Sequence, residues 1–389
     1  MKKILYFENT GNGTGSSKSL KAILSLLDRQ VYEVVLWFGD KGNRELWSGE
    51  NVHESRVGWI GNYDFFPASF SCIWLKHFIG FLIKSVRDSI SVPLKLKEFS
   101  PDIIHINSGS CLILGIIGKW MGIPVVWHIR ELICPNWLGR IQDFIYARTA
   151  SVIITISDAV MERLPYSCEH GNVVRLYNAI GRLEVPDEER VSSFRNRWNI
   201  PKGHLIVLLL GHVSKVKGYE FMADVADALR QENIYFILAG RDDSRSSDRI
   251  FSIKERWQLH VEEGRACFCG QVDPALAINV ADLIICPNLV PEPLGRTVVE
   301  AYRFDTPVMA MNMPAFTETI RHGESGWLLN EDPQVWADQL RTVSANRDVL
   351  KAYRSGIRAM NEIFDDEKYM KTLDEIYSGL VGGSESDDC

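Results

Sequence analysis

Between residues 281 and 312 the chain reads ADLIICPNLVPEPLGRTVVEAYRFDTPVMAMN, and its carboxylates Glu292 and Glu300 stand with seven residues between them. That spacing alone arises by chance in a chain with 50 acidic residues. The setting gives it weight. An apolar run ends at Cys286, a proline-rich loop delivers Glu292, a helix is expected to start near Leu294 or Gly295, and Glu300 falls inside it. At such a start the N–H groups around Gly295, Arg296 and Thr297 precede the intrahelical ladder, and with the helix dipole they suit a diphosphate. Glu300, farther along the helix, can accept two hydrogen bonds from a cis-diol such as that of a ribose. Glu292 would face the other end of the same ligand, so that two carboxylates bracket one diphosphate.

Lys217 supplies the complementary charge. In LLLGHVSKVKGYEF a strand ends at Gly211 and Lys217-Gly218 precedes the next helix, which puts an ammonium at a strand's carboxyl edge, where it can neutralise a leaving pyrophosphate. A lone lysine is otherwise a solvated surface charge. A third candidate lies at residues 8–20, ENTGNGTGSSKSL, after the run Ile4-Leu5-Tyr6-Phe7: strand, glycine loop and helix, the plan of many phosphate sites. It fits neither common fingerprint. A P-loop ending at Lys18-Ser19 would need glycine where Asn12 and Ser17 stand, and a dinucleotide loop starting at Gly11 and Gly13 would need its third glycine at Ser16, one place after Gly15. A P-loop ATPase is thereby set aside.

The elements that must position these groups follow an α/β rhythm. KKILYF, YEVVLWF, DIIHIN, PVVWHI and VIITIS, then HLIVLLLG, IYFILAG, RACFCG, DLIICP and PVMAMN, read as buried parallel strands with helical stretches between several of them. Two Rossmann-like, doubly wound parallel-sheet domains facing across a ligand cleft are expected, joined in the polar stretch beginning VVRLYNAIGRLEVPDEER, which carries no strong core signal. The domains fall at 1–180 and 181–364. DEKYMKTLDEIYSGL gives a last helix over 365–380, crossing back to the first domain, and 381–389 form a disordered tail.

A chain of 389 residues, 46% apolar and 24% charged, is long enough for two globular domains. Its N-terminus enters a strand at once, so no signal peptide and a cytoplasmic location are expected. A net charge of −7 argues against nucleic acid as partner, yet residues 1–180 sum to +3 and the rest to −10, which leaves the first half room for an anionic surface. Residues 73–97, where Trp74, Phe78 and Phe81 interleave with Lys76, His77 and Lys84, and Arg87, Lys95 and Lys97 follow, are expected to form an ordinary packed helix, with contact to an anionic membrane surface as the alternative. The stretch is too short and charged to span a bilayer. LILGIIGKWM, residues 112–121, reads as a buried helix between two strands. The 8 cysteines form no C-x-x-C pair, and Cys267 and Cys269 alternate around Phe268 as in a strand, so buried free thiols are expected rather than zinc or disulfides.

Taken in order, Gly211 with Lys217-Gly218, FILAG, CFCGQV, ADLIICPN, EPLGRTVVEA, TPVMA, Glu318 and HGESGWLL resemble glycosyltransferase family 4, with its GT-B fold, over essentially the whole chain. The resemblance implies retaining, metal-independent hexosyl transfer without a cofactor, from a nucleotide-diphosphate sugar. A UDP-sugar donor, and a glycan or lipid-linked acceptor in surface polysaccharide or glycoconjugate synthesis at the inner face of the membrane, are the expectation. Glu300 would hold the ribose, Glu292 the donor-sugar hydroxyls, Lys217 the diphosphate, and Gly295 to Thr297, with Leu294 beside them, the distal phosphate. Gly15 would face that phosphate across the cleft. Charge on the departing diphosphate is then the main demand, and the leaving phosphate can take the acceptor's proton, so no enzymic nucleophile is required.

Three departures from the family pattern stand out. His212 replaces the arginine usual after the first glycine, and imidazole is only partly charged at neutral pH and lacks the guanidinium fork; either His212 serves as the cation or Arg296 does. The family's first-domain histidine falls near WHIRE, where Arg130 and Glu131 occupy its place and His128 sits two residues earlier. Strand alternation points His128 and Arg130 the same way, toward the acceptor side as catalytic groups, with an Arg130–Glu131 ion pair as the structural alternative. MPAFTE stands where a glycine pair often precedes the late glutamate. Rival readings within the fold are a sugar phosphorylase or a nucleotide-sugar epimerase, and outside catalysis a silent nucleotide-sugar-binding subunit.

Overall fold

The computed structural model describes residues 1–9, 15–39, 47, 58–59, 72–242 and 247–382. The chain divides into two compact units, Met1–Gly181 with Asp365–Cys389, and Arg182–Phe364. In the first, β1 (Lys2–Glu8), β2 (Tyr32–Phe38), β3 (Gly58–Trp59), β4 (Ile103–Ile106), β5 (Val125–Ile129), β6 (Val152–Thr155) and β7 (Val173–Arg175) form one sheet in the order β3-β2-β1-β4-β5-β6-β7. Every pairing is parallel. Such sheets are covered on both faces, which is why Ile4 to Phe7 are consecutive apolar residues and all fully buried. The order reverses between β1 and β4, where Ile4 pairs with Ile103 and Phe7 with Ile106.

The helix Asp366–Gly382 completes this unit. Tyr369, Leu373 and Tyr377 recur every fourth residue and bury one stripe among Tyr6, Tyr32, Val34 and Leu36. At its start Asp366 accepts the backbone N–H groups of Ile180 and Gly181 at 3.0 and 3.1 Å. Val381 and Gly382, expected in a disordered tail, continue the helix, and the remainder of that tail lies outside the described residues.

In the second unit β8 (Leu205–Leu210), β9 (Ile234–Ala239), β10 (Ala266–Gly270), β11 (Leu283–Cys286), β12 (Val308–Met311) and β13 (Gly326–Leu329) run parallel in the order β10-β9-β8-β11-β12-β13. Here the reversal falls between β8 and β11, with Leu283 opposite Val207 and Ile285 opposite Leu209.

Some expectations need correction. The stretch read as lacking a core signal contains β7, a short edge strand with no fully buried residue, and the helix Glu188–Arg197, whose sequence is polar and buries Phe194. The helix Leu112–Trp120 is not wholly buried: Leu112, Leu114 and Ile117 face inward, while Ile116 and Trp120 are exposed. Residues 73–97 lie within one helix, Cys72–Phe99. Among the described residues no helix is long and apolar enough to cross a membrane.

Candidate active site

Two loops meet at the reversal point of the second sheet. After β8 come Gly211 and His212, a 3-10 turn Lys215–Lys217, Gly218 and the helix Tyr219–Ala228. After β11 come residues 287–295 and the helix Arg296–Tyr302. Because β8 and β11 are parallel neighbours, both loops open at the same carboxyl edge, where open α/β sheets hold ligands. The loops are joined by Leu289 N–H, which donates to Val216 O at 2.9 Å, and the first is braced from within by Tyr219 Oη, which donates to Gly211 O at 2.8 Å. Gly218 has φ +75°, and a Cβ there would lie 2.0 Å from Pro287 O, so only glycine lets the first loop pass under the second.

The charged side chains of this edge pair with one another. The Lys217 ammonium forms an ion pair with the Glu292 carboxylate, which also accepts Asn288 Nδ2 at 2.6 Å. Burial pushes the Lys217 pKa down, and it pushes the thiol of Cys286, at the end of β11, up to about 12. One turn into the following helix, Arg296 Nε meets Glu300 Oε1 at 2.7 Å. The structure therefore brings Lys217, Glu292, Leu294, Gly295, Arg296, Thr297 and Glu300 to one edge, with His212 half-buried at the end of β8. Each carboxylate is matched to its own cation, which the picture of two carboxylates bracketing a diphosphate did not include. Val298 N–H bonds Gly295 O at 2.9 Å, which leaves the Arg296 and Thr297 amides ahead of the ladder.

Two participants escaped sequence reasoning. Asn288, buried behind Glu292, fixes that carboxylate; its signal was its place directly after the strand in ADLIICPN. Phe316, in MPAFTE, packs against Gly295, whose Cβ would stand 2.5 Å from its ring and whose φ is +78°. The missing glycine pair is thus accompanied by an aromatic ring that requires glycine on the opposite loop.

At the carboxyl edge of β1, β4 and β5 the first unit holds a different cluster. Glu8 is fully buried, accepting Ser16 Oγ at 2.8 Å and Asn107 Nδ2, and burial pushes its carboxyl up to about 7. Arg130 Nε donates to Asn107 Oδ1 at 2.7 Å, while its terminal nitrogens reach Asn178 Oδ1 and, at 3.2 Å, His128 Nδ1. Since guanidinium only donates, His128 Nδ1 accepts and its proton is on Nε2. His105 Nε2 lies 3.1 Å from the same Nδ1 and donates to it, so His105 Nδ1 accepts Tyr377 Oη at 2.7 Å, and Tyr377 accepts Tyr6 Oη, also at 2.7 Å. Burial holds both imidazoles well below their usual pKa, so they are neutral, as this assignment requires.

His128 and Arg130 do share one side, but both are buried, and His128 Nε2 has no partner among the described residues. The two groups expected at the acceptor side therefore lie beneath the surface. The Arg130–Glu131 ion pair does not form: Glu131 accepts Ser108 Oγ and the backbone N–H groups of Gly109 and Arg130, both at 3.1 Å. Gly15 opens the helix Gly15–Leu26, with open space around the position of a Cβ, and residues 10–14 of its glycine loop lie outside the described residues. Glu8, His105, Asn107 and Tyr377 were missed because only the sheet register brings them together.

Two parallel, doubly wound sheets, each with polar groups where its strand order reverses, define the GT-B architecture. The family model of the glycosyl transferases group 1 matches residues 191–360, within the second unit. Phosphatidyl-myo-inositol mannosyltransferase of Mycobacterium leprae is 30% identical over 253 residues, covering 58% of this chain and 65% of that protein. The Mycobacterium tuberculosis protein of that name is 27% identical over 216 residues, covering 51% and 54%, so the chain spans about half the length of that relative. The fold matches Anabaena HepE, crystallised in complex with UDP and glucose, with TM-score 0.76 at 20% identity over 97% of this chain and 100% of that one. A glycosyltransferase from Rickettsia africae matches with TM-score 0.78 at 15% identity over 98% of each chain.

Proposed function

We propose that the protein is a retaining glycosyltransferase that moves a hexosyl group from a nucleotide-diphosphate sugar, with UDP as the carrier, to a glycan or lipid-linked acceptor. The observation that carries this reading is the Lys217–Glu292 pair, held on two joined loops where the second sheet reverses. A diphosphate brings more negative charge to Lys217 than one carboxylate does, so the ammonium changes partner and Glu292 is released toward the donor sugar's hydroxyls. Glu300 exchanges Arg296 for the ribose diol in the same manner. The UDP held by the structurally similar HepE supports uridine as the base.

As the bond from anomeric carbon to phosphate oxygen breaks, Lys217 and the Arg296 and Thr297 amides meet the charge gathering on the diphosphate. The acceptor hydroxyl attacks from the face being vacated, and its proton passes to the departing phosphate oxygen, which retains the configuration without a protein nucleophile. In this reading no divalent cation is required, and turnover survives a chelator.

The test is incubation with UDP-sugars and acceptor glycans, following UDP release and the anomeric configuration of the product, alongside calorimetry of UDP binding. Glu300→Ala should weaken donor binding by about 1.5 to 3 kcal/mol, the range for a hydrogen bond to a charged group. UDP binding without transfer to any acceptor would leave a silent binding subunit, and absence of nucleotide binding would remove both readings.

A further inference from the structure

We infer that the first unit docks on an anionic lipid bilayer through one outward face of three neighbouring helices. Those helices, Cys72–Phe99, Leu112–Trp120 and Trp137–Thr149, pack in that order against one another. The first is apolar on two opposite stripes. Val92, Leu96 and Phe99 point into the core, while Ile83, Val86, Ile90 and Leu94, spaced for a single helical stripe, are exposed by 66, 66, 67 and 65%. The other two helices extend the outward face with Trp120, Trp137, Ile141 and Phe144, all exposed. Single exposed apolar residues are ordinary, but a run across three adjoining helices marks a surface that something covers.

Charge says what covers it. On these helices the acids Asp88 and Asp143 are turned inward, 0 and 2% exposed, Asp143 accepting the backbone N–H groups of Tyr166 and Ser167 at 2.8 and 3.0 Å. Arg87, Lys97, Lys119, Arg140 and Arg148 are exposed, against Glu98 as the exposed acid among the described residues of the three helices. An aliphatic and aromatic face carrying basic side chains complements anionic headgroups over an acyl layer. A second copy of the chain would bring the same basic face against itself. The surface therefore extends well past residues 73–97, with its aromatic groups on the second and third helices. It deepens the reading of a lipid-linked acceptor and rests on that reading only for the acceptor's identity.

Co-sedimentation with vesicles of phosphatidylcholine, alone and mixed with phosphatidylglycerol, tests it on the full chain. Binding to the mixed vesicles, weakened by salt, is expected. Trp120→Ser with Trp137→Ser should lower partitioning at least tenfold, and each of Arg140→Gln and Arg148→Gln about fivefold, the equivalent of about 1 kcal/mol per basic residue near an anionic surface. Phe251→Ser, at a site 72% exposed on the second unit, should change nothing. All substituted positions are exposed, and unchanged thermal unfolding confirms that each variant folds. Absence of binding to mixed vesicles at low salt overturns the proposal, as does a wild-type dimer that the tryptophan variant splits. Release of UDP from a soluble donor, measured on the same samples, separates the two readings: docking lost with turnover intact refutes docking alone, and docking intact without turnover leaves it standing.

Discussion

The two units build the same kind of sheet and reverse it at an interior strand, yet they furnish the exposed edge in opposite ways. The second unit sets full charges against each other, Lys217 with Glu292 and Arg296 with Glu300, on side chains that remain partly accessible. The first holds its guanidinium with neutral acceptors, Asn107, Asn178 and His128, and keeps its carboxylate one amide away, all of it buried. Ion pairs at an edge can trade partners when a charged ligand arrives. A buried network whose donors and acceptors are matched to one another cannot trade without leaving some group unsatisfied. One edge is organised for exchange and the other for constancy of shape.

The largest effect should come from the exchanging edge. Lys217→Ala is expected to lower kcat by about 10²–10³, the cost of removing one preorganised stabiliser of transition-state charge, with a smaller change in donor KM. If KM alone rises, Lys217 binds the ground state and transition state equally, and the contrast between the units loses its chemical half.

Breaking the constant edge should register in stability instead. Arg130→Ala leaves Asn107, Asn178 and His128 short of donors and is expected to cost about 3 kcal/mol in thermal unfolding. Arg130→Lys should recover part of this, because an ammonium reaches fewer of the three acceptors than the planar fork. A silent Arg130→Ala would mean that water substitutes for the guanidinium.

Glu8 gives the same edge a pH signature. Its folded pKa of about 7 lies above its ordinary 4.5, so between those values the folded state holds a proton that the unfolded chain has released. Stability should therefore fall as pH rises through that window and level off above it, by on the order of 2 kcal/mol at about 1.4 kcal/mol per pKa unit, after allowance for relaxation of the buried site. Glu8→Gln should flatten the curve, and parallel melting-temperature profiles for variant and wild type would show that Glu8 does not titrate in this window.

The smallest effect is the sharpest on partner exchange. Glu292→Gln removes the carboxylate that competes for Lys217, so UDP should bind more tightly, by about 1 kcal/mol as for a partly exposed ion pair, while sugar transfer slows. Calorimetry reads the first and UDP release the second. Weaker UDP binding would show that Glu292 orients Lys217 rather than competing for it.

What the sequence displays and what it hides follow the same division. Strands buried on both faces are unbroken apolar runs, so β1, β2 and β8 are plain on sight, whereas β7 and β13 are short sheet edges, and β7 is only partly buried. Apart from Asn288 and Phe316, the groups of the second site sit in two continuous segments, Gly211 to Gly218 and Glu292 to Glu300, where loop chemistry alone announces them. The pairing of Lys217 with Glu292 is a fact of the β8–β11 register and is invisible beforehand, whereas Arg296 and Glu300 stand four residues apart on one helix. The first-unit network draws Glu8, His105, Asn107, His128, Arg130, Asn178 and Tyr377 from seven separate elements or loops, and apart from the alternation that sets His128 and Arg130 on one side no local pattern marks any of them as a partner of the others.

The helix Asp366–Gly382 has a consequence for how the molecule is born. Residues 182–364 are contiguous and have all they need to close as soon as they are made, but the sheet of the first unit waits for Tyr369, Leu373 and Tyr377, which arrive only after the second unit has been synthesised. At the ribosome's rate of about 5–20 residues per second that interval is on the order of ten seconds or more. Through it Tyr6 and His105 lack the hydroxyl that later joins them, and the apolar groove destined for the last helix stands open on the nascent chain. The earlier-made unit is thus the later to finish, and the interval is when a chaperone would have most to protect.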